Sequence, residues 1–212
     1  MILTQTIEYQ NTLLDTTYPI MEHFYSLQGE GFWTGTPAYF IRLGGCDVGC
    51  FWCDVKESWT FNNHSLLSIK ELLNEIKQTQ AERIIITGGE PLLHNLNPLC
   101  EALQLEDYKL HLETSGTQEL TGKFDWICFS PKKFKKPLES FYSIANELKI
   151  IVKNQHDLEW AESQVSLCNS KTLLFLQPEW DTPASAGWIT DFIKTHPHWR
   201  ISLQTHKYLN IR

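Results

Sequence analysis

The sequence predicts an α/β fold, a parallel sheet whose strands are joined by crossover helices. Three observations carry that expectation. From residue 83 onward, short apolar runs of strand length alternate with amphipathic runs of helical length. The strand-like runs end in glycine, acidic or Ser-Pro-Lys segments, which is the end of a parallel sheet where ligands gather. A chain of 212 residues holds one sizeable core rather than two, so a single domain is expected over residues 18–212.

Residues 1–17 show no clean periodicity and read as a loose extension or an edge element. Residues 18–27 lead into Gln28-Gly29-Glu30-Gly31, a turn whose glycines let backbone approach a ligand closely. The run PAYFIRL, residues 37–43, reads as a buried strand that delivers Arg42. Over residues 68–80, Ile69, Leu72, Leu73 and Ile76 form a helical stripe with Ser68 as its N-cap. A strand over 83–87 runs into Gly88-Gly89-Glu90-Pro91, and residues 92–105 are expected as one helix. Strands follow at 109–113, ending in Thr114-Ser115-Gly116, and at 126–129, ending in Ser130-Pro131-Lys132. The pattern closes with a strand at 146–152, a helix at 156–168, a strand at 172–177, a helix at 186–195 and a strand at 200–204.

Composition excludes several classes. With 42% apolar and 20% charged residues the chain is an ordinary globular one, and a net charge of −7 argues against a general nucleic-acid binder. No run approaches the roughly 18 apolar residues of a membrane span, and the first fifteen residues are too polar for a signal peptide. Six cysteines without a secretion signal place the chain in a reducing cytoplasm, where clustered cysteines hold metal more often than they form disulfides. Cys100, Cys128 and Cys168 stand singly in apolar surroundings and read as core thiols.

Cys46, Cys50 and Cys53 are different, because they lie within eight residues in a C-x3-C-x2-C loop. Thiolates are soft donors suited to iron–sulfur clusters and zinc. Structural zinc takes four protein ligands, whereas a cubane on three thiolates leaves one iron open. Two other readings stay open on the residues alone: free buried thiols, or a zinc site completed by His64 in a non-catalytic module.

The cysteine spacing resembles the signature of the radical S-adenosylmethionine (SAM) enzymes, and Thr87-Gly88-Gly89-Glu90-Pro91 resembles that superfamily's GGE segment. Leu27-Gln28-Gly29-Glu30-Gly31, Arg42, Gly45-Cys46, Trp52-Cys53-Asp54, Ser130-Pro131-Lys132 and Gln204-Thr205-His206-Lys207 together resemble the 7-carboxy-7-deazaguanine synthase (QueE) family. The resemblance implies a partial (β/α) barrel with a reduced (β6/α3)-like core, a [4Fe-4S] cluster on Cys46, Cys50 and Cys53, and SAM on the open iron. It implies conversion of 6-carboxy-5,6,7,8-tetrahydropterin to 7-carboxy-7-deazaguanine with loss of ammonia, in queuosine biosynthesis. A flavodoxin-like reductase would supply the electron, and members are homodimers.

Residue by residue, the resemblance places Leu27, Gln28, Gly29, Arg42 and Thr87 at the pterin, with Arg42 facing its carboxylate. Trp52, Cys53, Asp54, Gly89, Glu90, Glu113, Ser115, Ser130, Pro131 and Lys132 would contact SAM. The alternative for Arg42 is a surface or barrel-bottom ion pair, and for His206 a packing residue. One departure stands out. The family follows its last cysteine with Asp-Thr, whose hydroxyl helps hold Mg2+ beside the substrate, whereas this chain has Asp54-Val55. Valine has no oxygen for a cation that accepts almost only oxygen, so either Asp54 or Glu57 is a displaced ligand or the ion is not needed. Within the superfamily the runner-up is an activase that installs a glycyl radical on a partner protein, disfavoured by the QGEG turn.

Overall fold

The structure, a computed structural model, describes residues 9–212. Helix α1, described over residues 9–14, precedes the strands β1 (Thr17–Leu27), β2 (Pro37–Leu43) and β3 (Ser65–Ser68). Then come α2 (Ile69–Ile76), β4 (Arg83–Gly88), α3 (Asn97–Leu105), β5 (Lys109–Thr114) and β6 (Trp126–Phe129). The chain continues through α4 (Ser140–Ile144), β7 (Glu147–Val152), α5 (Gln155–Val165), β8 (Leu173–Pro178), α6 (Ala184–Thr195), β9 (Trp199–Ile201) and α7 (Thr205–Leu209). The nine strands among the described residues form one open sheet in the order β3-β1-β2-β4-β5-β6-β7-β8-β9. Pairs from β2 onward are parallel, and β1 pairs antiparallel with both of its neighbours.

Side chains alternate across each strand, so the strand sequences divide into two faces. Ile41, Ile84, Ile86, Leu112, Phe129, Leu148, Ile150 and Leu176 lie on one face and form the main core with the helices. On the other face stand Arg42, Thr87, His111, Glu113, Cys128, Glu147, Lys149 and Gln177. That face curls inward. The turn after β1 bonds to β5 and β7 side chains, Gln28 to Glu113 and Glu30 to Lys149. β7 lies five places from β1 in the sheet, about 24 Å if the sheet were flat, so only strong curvature permits the second contact.

The expected stripe on α2 is buried at Ile69, Leu72, Leu73 and Ile76, and a capping box fixes its start. Ser68 Oγ accepts from the Glu71 amide at 3.2 Å, and Glu71 accepts from the Ser68 amide at 2.7 Å, a device worth about 1 kcal/mol. Some elements differ from expectation. Residues 92–105 are not one helix: Pro91–Leu93 is a 3-10 turn capped by Glu90, and α3 begins only at Asn97, with Pro98 in its first turn. The last strand lies earlier, at Trp199–Ile201, because the Trp199 ring is buried and its Nε1 donates to Glu162 at 2.8 Å. Within the predicted extension, residues 9–14 are helical, with Leu13 in the core, rather than a loose or edge segment, and Thr17 already opens β1; residues 1–8 lie outside the described residues.

Candidate functional site

The curled face and the loops at the carboxyl ends of its strands enclose a cavity of about 480 Å³. Its walls include Cys46, Cys50, Trp52, Cys53 and Asp54 from the cysteine loop, and Leu27, Gln28, Gly29 and Arg42 from β1, its turn and β2. They also include Thr87, Gly89, Glu90, Glu113 and Ser115 from the ends of β4 and β5, with Ser130 and Lys132 after β6. Pro131 does not line the cavity; it is buried between two residues that do.

The cysteine loop is shaped by backbone more than by side chains. Gly45 and Gly49 have φ of +100° and +71°, conformations that favour glycine. The Gly45 and Cys46 amides donate to the carbonyls of Ser58 and Trp59 at 2.7 and 3.1 Å, and Lys135 binds Asp47 from the opposite side at 2.8 Å. The end of β4 presses on the same loop. A Cβ on Gly88 would stand 2.4 Å from the Leu43 carbonyl oxygen, and one on Gly89 2.2 Å from that of Gly45. The double glycine is therefore required by the packing of β4 against the loop. Glu90 is almost fully buried: one carboxylate oxygen accepts from Thr114 Oγ1 at 2.6 Å and the Leu92 amide at 3.2 Å, and the other from the Ser115 amide at 2.8 Å and its hydroxyl. These bonds lock the end of β4 to the end of β5.

The opposite wall is built around Lys149. Its side chain is 5% exposed, and its ammonium binds Glu30, with Glu113 at 3.8 Å. Burial pushes the Lys149 pKa down, but the acidic groups facing it (Cys128, Glu113, Glu30 and Glu147) outweigh burial and leave it well above the usual value. Burial likewise raises Glu30 and Glu113, but Lys149 together with a hydrogen bond from Gln204 to Glu30, and with Gln28, Arg42 and His206 around Glu113, more than offsets it, so both carboxyls titrate below their ordinary range. For Glu147 burial prevails and its pKa is raised. Below them His111 is buried with neither ring nitrogen bonded, and burial together with Lys149 and Arg83 keeps it neutral.

Arg42 reaches the cavity wall while its Nε donates to Glu22 at 2.8 Å, so an ion pair orients a cavity-lining guanidinium. His206 is also on the wall, against Gly29, where an added Cβ would stand 2.1 Å from its Nδ1. Burial lowers its pKa despite Glu30 nearby. Lys132 donates to the Ser130 carbonyl and hydroxyl at 2.7 and 2.6 Å, and burial depresses its pKa although Cys50 opposes the shift. Cys128, expected as a core thiol, is buried as predicted but faces the cavity rather than the helix layer.

Residues 40–141 match the radical SAM superfamily. Over 94% of its length the chain is 50% identical to the 7-carboxy-7-deazaguanine synthase of Synechocystis sp., covering 96% of that protein. It is equally similar, at 50% over 91% of its length, to the synthase of Flavobacterium psychrophilum, of which it covers 92%. The chain belongs to the 7-carboxy-7-deazaguanine synthase family. The crystal structure of QueE from Escherichia coli matches it with a TM-score of 0.78 at 31% identity, covering 94% of this chain and 97% of that one. The curled open sheet is thus the radical SAM partial barrel.

Membership of that superfamily implies a [4Fe-4S] cluster and SAM, and the residues fit both. Three free, half-buried cysteines face one cavity that has room beside them. Among the described residues no three His, Cys, Asp or Glu side chains close on a single-ion site, as zinc would require, whereas a cubane takes each thiolate on a separate iron. His64 packs against Gly44 with Nε2 buried and unbonded, outside any such group. Sequence reasoning missed Lys149, Glu147 and His111, although the strand Glu147–Val152 carried a signal for two of them: charged residues at the first and third positions of an otherwise apolar run.

Proposed function

We propose that the chain carries the activity named for its relatives, converting 6-carboxy-5,6,7,8-tetrahydropterin to 7-carboxy-7-deazaguanine with release of ammonia. The supporting observation is that the Gln28-Gly29 turn and the three cysteines, distant in sequence, face one cavity. When bound, the cluster and SAM supply the one-electron chemistry that generates a carbon radical for hydrogen abstraction. The chain's own residues bind and orient. Cys46, Cys50 and Cys53 hold the cluster. Trp52, Asp54, Gly89, Ser115, Ser130 and Lys132 line the side of the cavity assigned to SAM, and Glu90 fixes two of the strand ends from which they project. Gln28 and Glu30, each held by a partner of opposite polarity, offer fixed donors and acceptors to a flat heterocycle. Arg42, already oriented by Glu22, meets the substrate carboxylate as a preset fork. The buried, charge-compensated wall around Lys149 keeps these groups in place and limits water near the reacting atoms.

The reading includes a flavodoxin-like reductase and a homodimer in the cytoplasm. Exposed Phe51 and Phe134 beside the cysteine loop, with Lys133 and Lys153, support the first as a face for an acidic partner. No helix among the described residues is long and apolar enough to cross a membrane. Anaerobic incubation of cluster-reconstituted protein with SAM, a reductant and the carboxylated tetrahydropterin tests the activity. A product with the mass of carboxydeazaguanine is expected; unchanged pterin with SAM consumed in a slow uncoupled reaction would overturn it.

A further inference from the structure

The position assigned to Mg2+ by family resemblance does not fit that ion here. Mg2+ demands near-octahedral oxygen ligands at about 2.0–2.1 Å. The Val55 side chain on the cavity wall has no oxygen, and Glu57 is exposed and off the wall. Asp54, the carboxylate nearest in sequence, is already engaged: its Oδ2 accepts from Lys207 Nζ at 2.6 Å and from Gln204 Nε2 at 3.2 Å. The next carboxylate, Glu30, accepts from the same Gln204 amide at 2.9 Å and from Lys149. Both Glu30 oxygens and one of the two Asp54 oxygens are thus taken by a cation or an amide of this chain.

The cation in that position is itself well held. Helix α7 carries Lys207 and is docked on the substrate-side turn, with the Thr205 amide and hydroxyl donating to the Gly29 carbonyl at 2.9 and 3.0 Å. The Lys207 side chain is 19% exposed, its ammonium lies 4.7 Å from the centre of the Trp180 ring, and both residues line the cavity. An ammonium between a carboxylate and an aromatic face is fixed in place. Asp54 supplies one countercharge, and the cavity side remains for an anionic ligand.

We propose that Lys207, oriented by Asp54 and Trp180, is a substrate-binding residue that supplies beside the pterin carboxylate the positive charge a Mg2+ ion would otherwise bring, so that this enzyme works without the metal. The proposal rests on the substrate reading above.

The test uses the chelator-treated, cluster-reconstituted full chain and two ligands, 6-carboxytetrahydropterin and tetrahydropterin without the carboxylate. Binding is read by quenching of tryptophan fluorescence, Mg2+ binding by calorimetry, and turnover by mass. For the unaltered protein, Mg2+ should give no binding heat in the presence of substrate and leave KM unchanged. Lys207→Met should weaken the carboxylated ligand by about tenfold or more, the scale of a hydrogen bond to a charged group, and barely affect the uncarboxylated one. Lys207→Arg, which keeps the charge, should retain most of the affinity. A saturable Mg2+ requirement in the unaltered protein overturns the proposal. So does a Lys207→Met variant that loses both ligands equally, or a Lys207→Arg variant as impaired as Lys207→Met. Failure of the unaltered protein to bind the carboxylated pterin at all is a separate result: it defeats the substrate reading, and this inference with it.

Discussion

The two faces of the central sheet are built from the same strands by opposite rules. On the helix-covered face, Ile84, Leu112, Leu148, Ile150 and Leu176 are buried against other apolar groups, and each contributes independently to stability. On the curled face, Lys149, Glu147 and His111 are buried and Glu30 and Glu113 are partly buried beside them, so removing the lysine leaves carboxylates unpaired. Burying charges costs desolvation that pairing only roughly offsets. The curled face therefore adds little to net stability; what it provides is fixed polar groups around the cavity.

The largest test of this contrast is Lys149→Met. Removing the ammonium leaves the partly buried Glu30 and Glu113 without their cation, and a loss of about 3 kcal/mol, the low end for a broken buried pair, is expected in urea unfolding. The same variant should show a distinct pH response. Glu30 and Glu113 have folded pKa values below their unfolded ones, so their contribution is present above the unfolded value of about 4.3 and is lost as pH falls through the folded values. Glu147 runs the other way: its raised pKa gives stability below the unfolded value that disappears as pH rises through the folded one. The gap in stability between the parent and Lys149→Met should accordingly narrow as pH drops below about 4.3. A gap that stays constant with pH would mean that the lysine acts by packing alone.

A smaller effect is expected where backbone rather than charge sets the geometry. In Gly89→Ala the new Cβ meets the Gly45 carbonyl at 2.2 Å and Cys46 Cβ at 2.7 Å, neither of which is the end of a flexible side chain. The cysteine loop must shift, at about 1–3 kcal/mol of overpacking. Turnover and iron content per chain should both fall while the helix signal persists. Retention of full iron content and turnover would show that the loop tolerates displacement.

How much of this was legible in advance follows the same division. The parallel strands could be read because strands buried on both faces appear as short apolar runs bounded by glycine and acidic punctuation. The motif residues could be read because their spacing is specific. Three kinds of feature could not. The four-residue strand β3 overlaps the cap of α2, so Ser68 belongs to one as its last residue and to the other as its N-cap. The five-residue helices α4 and α7 are too short for periodicity to register. The interior network escaped because it depends on curvature: nothing local to Glu30 announces that the turn reaches a lysine 119 residues later. Lys207 was visible as part of a motif, but its pairing with Asp54 depends on the docking of α7 against the turn.

The smallest expected effect sharpens the comparison most, because Ile150 is the neighbour of Lys149 on the opposite face of the same strand. Ile150→Val removes one methylene from a fully buried position and should cost about 0.5–1.5 kcal/mol, with the helix layer relaxing only in part. The carboxylated pterin should bind with unchanged affinity, and kcat should not move, since Lys149 is registered against Phe175 of β8 and its neighbour Leu148 against Phe129 of β6. Lys149 and Ile150 are one residue apart yet should separate cleanly, one altering binding and pH response and the other only the unfolding midpoint. If Ile150→Val changed substrate affinity as well, the two faces would be mechanically coupled through the strand, and the curled face would owe its geometry to the apolar packing behind it.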